Sequence, residues 1–200
     1  MPDAPKEVLA EIAKEYEESL TIPEVKSTPQ WMLMPVGLIG AGKSTVVRPL
    51  AEKLGLIRLS TDDVRRMMSE RGFSYEGVRD IIHELSKRYL QQGYSLAFDA
   101  NTGSVAGIEY NKKTAAAYPN ARQIFIYINP PDEFIVHKLR NYNHSWLFRN
   151  ADHAIESFYE NKKQFPEPNL PFVYEFDTSR DDVPQQIDEA IQAIQKALKS

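Results

Sequence analysis

The run VGLIGAGKSTVVRPL, residues 36–50, constrains the chain more than any other segment, because Gly37, Gly42, Lys43 and Ser44 fit the spacing G-x-x-x-x-G-K-[ST]. An apolar, strand-like run, WMLMPVGLIG, leads into it, and a helical pattern from Ser44 to Leu54 follows. Strand, glycine loop and helix in that order are the context in which backbone N–H groups converge on phosphate oxygens, which a Cβ would obstruct. The expected nucleotide-binding set is therefore Gly37, Gly40, Ala41, Gly42, Lys43, Ser44 and Thr45. Lys43 reaches the β- and γ-phosphates in this reading, the Ser44 hydroxyl binds Mg²⁺, and Thr45 donates near the α-phosphate. The bland alternative is a glycine-rich turn between a strand and a helix, and it accounts for neither Lys43 nor Ser44.

Beyond the loop, short apolar runs alternate with helical patterns. LIRLS, SLAFDA, RQIFIYIN and FVYEFD are the further strands, and helices are expected around Val64 to Met68, Tyr75 to Gln91, Val105 to Ala117, Pro131 to Asn141 and Pro184 to Leu198. Strands separated by helices cannot pair as hairpins, so the expected fold is α/β, a parallel sheet with helices on both faces and ligands at the strands' C-terminal edge. Residues 1–30 stand apart. Val8, Leu9, Ile12, Ala13 and Tyr16 recur at helical spacing, and the proline-bearing TIPEVKSTPQ reads as a connector. The chain thus divides into an N-terminal helix and linker, 1–30, and a catalytic domain, 31–200, with the helix docking either on the core or on a partner.

At that C-terminal edge LIRLS runs into Thr61-Asp62-Asp63-Val64-Arg65-Arg66. A carboxylate there suits the proton of an acceptor hydroxyl, which makes Asp62 the candidate base, and Arg65, one turn on, the candidate clamp for an acceptor phosphate or the transferring group. Helix capping by Thr61 or Asp62 is the competing reading. Asp99 ends the strand SLAFDA and is expected to orient Arg65, contact the acceptor or reach Mg²⁺ through water, against the alternative of a strand-end Asx-turn. Arg140 and Arg149 flank the polar segment NYNHSWLF and are the cations available for a lid, with Arg149 the better placed. His83, His137 and His144 show no metal-ligand spacing.

Composition narrows the partners. Against 24 Lys and Arg stand 28 Asp and Glu, a net charge of -4 that disfavours a polynucleotide acceptor. With no cysteine there is neither a disulfide nor a thiol nucleophile. The acidic, amphipathic N-terminus and the lack of any apolar stretch near about 18 residues predict a cytoplasmic protein with no membrane segment.

GLIGAGKST, LSTDDVRRMM, the strand-end FDANT and a helix ending near KLRN together resemble the small P-loop kinases of the polynucleotide-kinase-like and zeta-toxin-like group, across roughly Met32 to Arg180. The resemblance implies a P-loop NTPase fold, ATP and Mg²⁺ as cofactors, Asp62 as general base and Arg65 on the acceptor phosphate. It also places the adenine near QFPEP and FVYEFDTS. The chain departs from the pattern at Ile39, where the group carries proline, and in FRNADHAIESFY, where its arginine-glycine lid element is altered. The function expected is transfer of the ATP γ-phosphate to a hydroxyl of a small metabolite, a nucleotide-sugar or a nucleic-acid 5′ end, with Lys43, Asp62, Arg65, Asp99 and Arg149 as the working residues. The competing class is a nucleotide-regulated binding protein or weak ATPase acting as a switch.

Overall fold

The computed structural model describes residues 1–141, 147–165 and 169–199. His144, most of the segment from Asn141 to Phe148, and residues 166–168 of the QFPEP stretch lie outside the described residues.

Among the described residues five strands, β1 (Trp31–Val36), β2 (Ile57–Ser60), β3 (Leu96–Asp99), β4 (Arg122–Ile128) and β5 (Phe172–Phe176), form one sheet in the order β2-β3-β1-β4-β5. Every pairing is parallel. The helices are α1 (Lys6–Glu18), α2 (Lys43–Leu54), α3 (Thr61–Glu70), α4 (Val78–Gln91), α5 (Val105–Ala117), α6 (Asp132–Asn141), α7 (Ala151–Gln164) and α8 (Val183–Lys199).

A central strand buried on both faces must be apolar throughout, and β1 is. Its alternate residues feed two cores: Trp31 and Leu33 pack with Val46, Leu50, Phe158 and Ile194, while Met32, Met34 and Val36 pack with Ile57, Leu59, Met68 and Leu85. Ile12 and Tyr16 of α1 belong to the second core, both essentially buried, so the N-terminal helix is packed on the domain.

Two helix starts bear on the sequence reading, one against its competing alternative and one against its expectation. Ser60 caps α3, its Oγ accepting the Asp63 N–H at 3.2 Å, so neither Thr61 nor Asp62 is the cap and the Asp62 carboxylate is left for other work. The helix expected from Tyr75 begins instead at Val78, because Gly77 at φ +85° ends the preceding turn in a conformation a helix cannot continue through. Among the described residues no helix is long and apolar enough to cross a membrane.

Candidate active site

The glycine loop joins β1 to α2 at the C-terminal edge of the sheet. Gly40 and Gly42 adopt φ of +79° and +92°. Gly37 has a different reason to be glycine: a Cβ there would stand 2.6 Å from the Ile128 carbonyl oxygen. The loop is held from outside by Thr178, just after β5, whose Oγ1 donates to the Ala41 carbonyl at 2.7 Å. Lys43 Nζ folds back onto the loop and donates to the carbonyls of Gly37 at 3.1 Å and Leu38 at 2.8 Å.

Burial pushes the Lys43 ammonium down to about 8. The carboxylates of Asp62 and Asp99 oppose that shift, and Lys138 and Arg65 add to it. Lys43 therefore sits inside a cluster that contains Asp62, Arg65 and Asp99 from the sequence reading, together with Lys138 of α6, which that reading passed over. Lys138 is half-buried, its own ammonium is lowered by burial, and it has no acidic partner among the described residues. A half-buried cation without an acidic partner, close enough to lower the proton affinity of a second ammonium at Lys43, is costly unless an anion joins them.

Asp62 and Arg65 meet directly: Arg65 Nη1 donates to Asp62 Oδ1 at 2.8 Å. Its other oxygen has no hydrogen-bond partner among the described residues, and the side chain is 45% exposed, open to a ligand. Arg66 points away, toward Glu70.

Asp99 differs from one of its expectations. It does not orient Arg65; it is 3% exposed and is paired with Arg58 of β2, whose Nε donates to Oδ2 at 2.8 Å and whose Nη2 lies 2.7 Å from the same oxygen. The other oxygen, Oδ1, accepts the Ser44 hydroxyl at 2.8 Å. Arg58 Nη1 also donates to Asp63 Oδ2 at 2.8 Å. A charged residue in the middle of the apolar run LIRLS was the available signal for Arg58, since a strand charge at a sheet's ligand edge needs a partner.

The Ser44 hydroxyl and Asp99 carboxylate are hard oxygen donors of the kind Mg²⁺ takes. Among the described residues no group of three or more His, Cys, Asp or Glu converges on a metal position. A divalent ion at Ser44 would draw its remaining ligands from phosphate and water, as Mg²⁺ does at nucleotide sites, so the residues fit the ion.

Arg149 lies in the bend before α7; its backbone N–H donates to His153 Nδ1, and its side chain is exposed with no partner among the described residues. Two polar cavities among the described residues lie near these elements. One, of about 510 Å³, is lined by Asp3, Arg65, Ser74, Glu76, Arg79 and Asp80 among others. The other, of about 400 Å³, opens between β5 and α8 and includes Asp177, the residue before Thr178.

A family model described as AAA domain matches residues 32–157. No curated protein matches the chain. Among solved structures, the APS kinase of Mycobacterium tuberculosis, determined with AMPPNP and APS, aligns at TM-score 0.57 and 16% identity over 84% of this chain and 99% of its own. A gluconokinase from Sinorhizobium meliloti aligns at TM-score 0.56 and 13% identity, covering 87% and 96%. Shikimate kinase from Bacteroides thetaiotaomicron aligns at TM-score 0.52 and 15% identity, covering 85% and 99%. The fold these structures share with the chain is the P-loop NTPase fold, a parallel sheet between helices with the glycine loop at its edge.

Proposed function

The chain belongs to the AAA domain family, and from that premise we propose that it is an ATP-dependent kinase that moves the γ-phosphate to a hydroxyl of a small metabolite. The observation that carries this reading is the Ser44 hydroxyl on Asp99 at 2.8 Å beside Lys43, with the Asp62–Arg65 pair within electrostatic reach of the same lysine. A loop that only bound nucleotide would not require a second, solvent-accessible carboxylate facing it.

In the proposed reaction Lys43 and the backbone N–H groups of residues 40–45 hold the phosphates. The Ser44 hydroxyl would hold Mg²⁺, and the ion would supply positive charge against the phosphates. The acceptor oxygen attacks the γ-phosphorus in line, the bond from γ-phosphorus to the β–γ bridging oxygen breaks, and ADP leaves. Asp62 takes the acceptor proton through its free oxygen. Lys138 approaches from α6 and Arg149 from the bend before α7 to balance charge on the equatorial oxygens.

The acceptor occupies the 510 Å³ cavity, whose size suits a small ligand. Three carboxylates, Asp3, Glu76 and Asp80, outnumber two guanidinium groups, Arg65 and Arg79, in its lining. That balance favours a small polar acceptor over a polynucleotide end, which needs a cationic channel. The similar structures, an APS kinase, a gluconokinase and a shikimate kinase, support the same scale of substrate.

The test is transfer from γ-labelled ATP to a panel of sugars, sugar acids, nucleosides, nucleotide-sugars and 5′-hydroxyl oligonucleotides. Asp62→Asn should lower transfer by about 10²–10⁴-fold while leaving ATP affinity nearly unchanged. Transfer by Asp62→Asn at the wild-type rate would remove the base from the mechanism, and tight ATP binding with no labelled acceptor would favour a nucleotide-dependent switch.

A further inference from the structure

Among the described residues, Arg58 is the one guanidinium bonded to both Asp99 and Asp63. Ile57 and Leu59 enter one core, so the strand alternation sends Arg58 to the opposite face, where it meets the end of the neighbouring strand β3. Its side chain is 22% exposed and the Asp99 side chain 2%, so the pair is largely desolvated, and it is backed by a third contact to Asp63 in the first turn of α3.

We propose that Arg58 is a positioning residue that reserves Asp99 as the hydrogen-bond acceptor of the Ser44 hydroxyl and prevents it from ligating the divalent cation directly. The inference rests on the reading of Ser44 as the cation-binding side of a nucleotide site. A carboxylate has two oxygens with which to ligate a metal. Oδ2 lies within 2.8 Å of two Arg58 nitrogens, and Oδ1 holds the Ser44 proton at 2.8 Å. With its proton committed to Asp99, the Ser44 oxygen keeps its lone pairs for the ion. The ligand role is thus assigned to a neutral hydroxyl rather than to an anion, which leaves the ion weakly held until nucleotide phosphates arrive.

Remove the guanidinium and two things change together: Oδ2 becomes free, and a positive charge near the ion is lost. Both favour direct binding of a divalent cation in the absence of nucleotide. The same guanidinium links Asp99 to Asp63, next to the proposed base, so the metal side and the base side of the site share one support.

The experiment uses the full chain and Mn²⁺ as the probe, with free Mn²⁺ read by electron paramagnetic resonance in the absence of nucleotide. Arg58→Met should bind Mn²⁺ at least about tenfold more tightly than wild type, and adding Asp99→Asn should abolish the gain. Arg58→Lys, which keeps the charge, should stay within about threefold of wild type. If Arg58→Met does not fold, as judged by circular dichroism, Arg58→Gln carries the same comparison. In parallel, wild-type affinity for AMPPNP is measured with Mg²⁺ and with EDTA. Mg²⁺-dependent AMPPNP binding by wild type, with unchanged Mn²⁺ affinity in the Arg58 variant, would overturn this role for Arg58 alone. No Mg²⁺ dependence in wild type would overturn the cation site and the inference together.

Discussion

The Tyr16 hydroxyl oxygen accepts the backbone N–H of Ser60 at 2.6 Å, joining the N-terminal helix to the residue that caps α3. Both groups are buried, so no water substitutes when the bond is lost. The phenol is pushed upward by its burial and stays neutral at physiological pH. Tyr16→Phe should therefore cost about 1–3 kcal/mol, the penalty for an unsatisfied buried amide, read by urea denaturation. Hydrogen exchange at the Ser60 amide should accelerate with it; unchanged exchange would mean that another group caps that amide.

Gly42 is fixed by conformation and by space at once. At φ +92° an L-residue carries strain of about 1–2 kcal/mol. A Cβ would also stand 3.0 Å from Thr178 Oγ1, the hydroxyl that holds the Ala41 carbonyl. Gly42→Ala should lower the melting temperature and weaken AMPPNP binding together. Thr178→Ala, which opens the space, should recover part of the nucleotide affinity in the double variant.

Much of this was legible in advance. VAGIEYNKKTAAA was expected as a helix from Val105 to Ala117, and α5 has those bounds, with Ser104 capping its start by accepting the Gly107 N–H. The parallel sheet followed from strands that alternate with helices. What escaped was pairing across the sheet. Thr178 meets Ala41 over 137 positions and Arg58 meets Asp99 over 41, and no local periodicity encodes either contact. The lid reading weighed arginines beside the polar segment, whereas Lys138 sits one residue before Leu139, which is buried in the core that Leu38, Ile39 and Ala41 of the loop also join.

Arg65 bridges Asp62 and the larger cavity, so its loss should register on the acceptor rather than on ATP. Arg65→Ala should raise the acceptor KM by about ten- to a hundredfold, the range for a lost charge-assisted hydrogen bond, with ATP affinity little changed. An equal loss of both affinities would place Arg65 on the nucleotide instead.

Lys138 offers a test in which stability and activity move in opposite directions. Burial lowers its proton affinity in the folded chain, while the unfolded chain keeps the ordinary value of 10.5. Between the depressed value and 10.5 the unfolded chain binds more protons, so stability rises with pH across that window. At neutral pH, below the window, the cost of the buried charge is fully present. Lys138→Met should therefore stabilise the protein at pH 7 by about 0.5–1 kcal/mol, with allowance for the half-exposed side chain. The gain should shrink as the pH approaches 10. Transfer should fall on the order of tenfold or more if the ammonium neutralises the moving phosphoryl group. Stabilisation with undiminished transfer would leave Arg149 as the cation over the reacting phosphate, and the reciprocal Arg149→Met variant would then carry the loss.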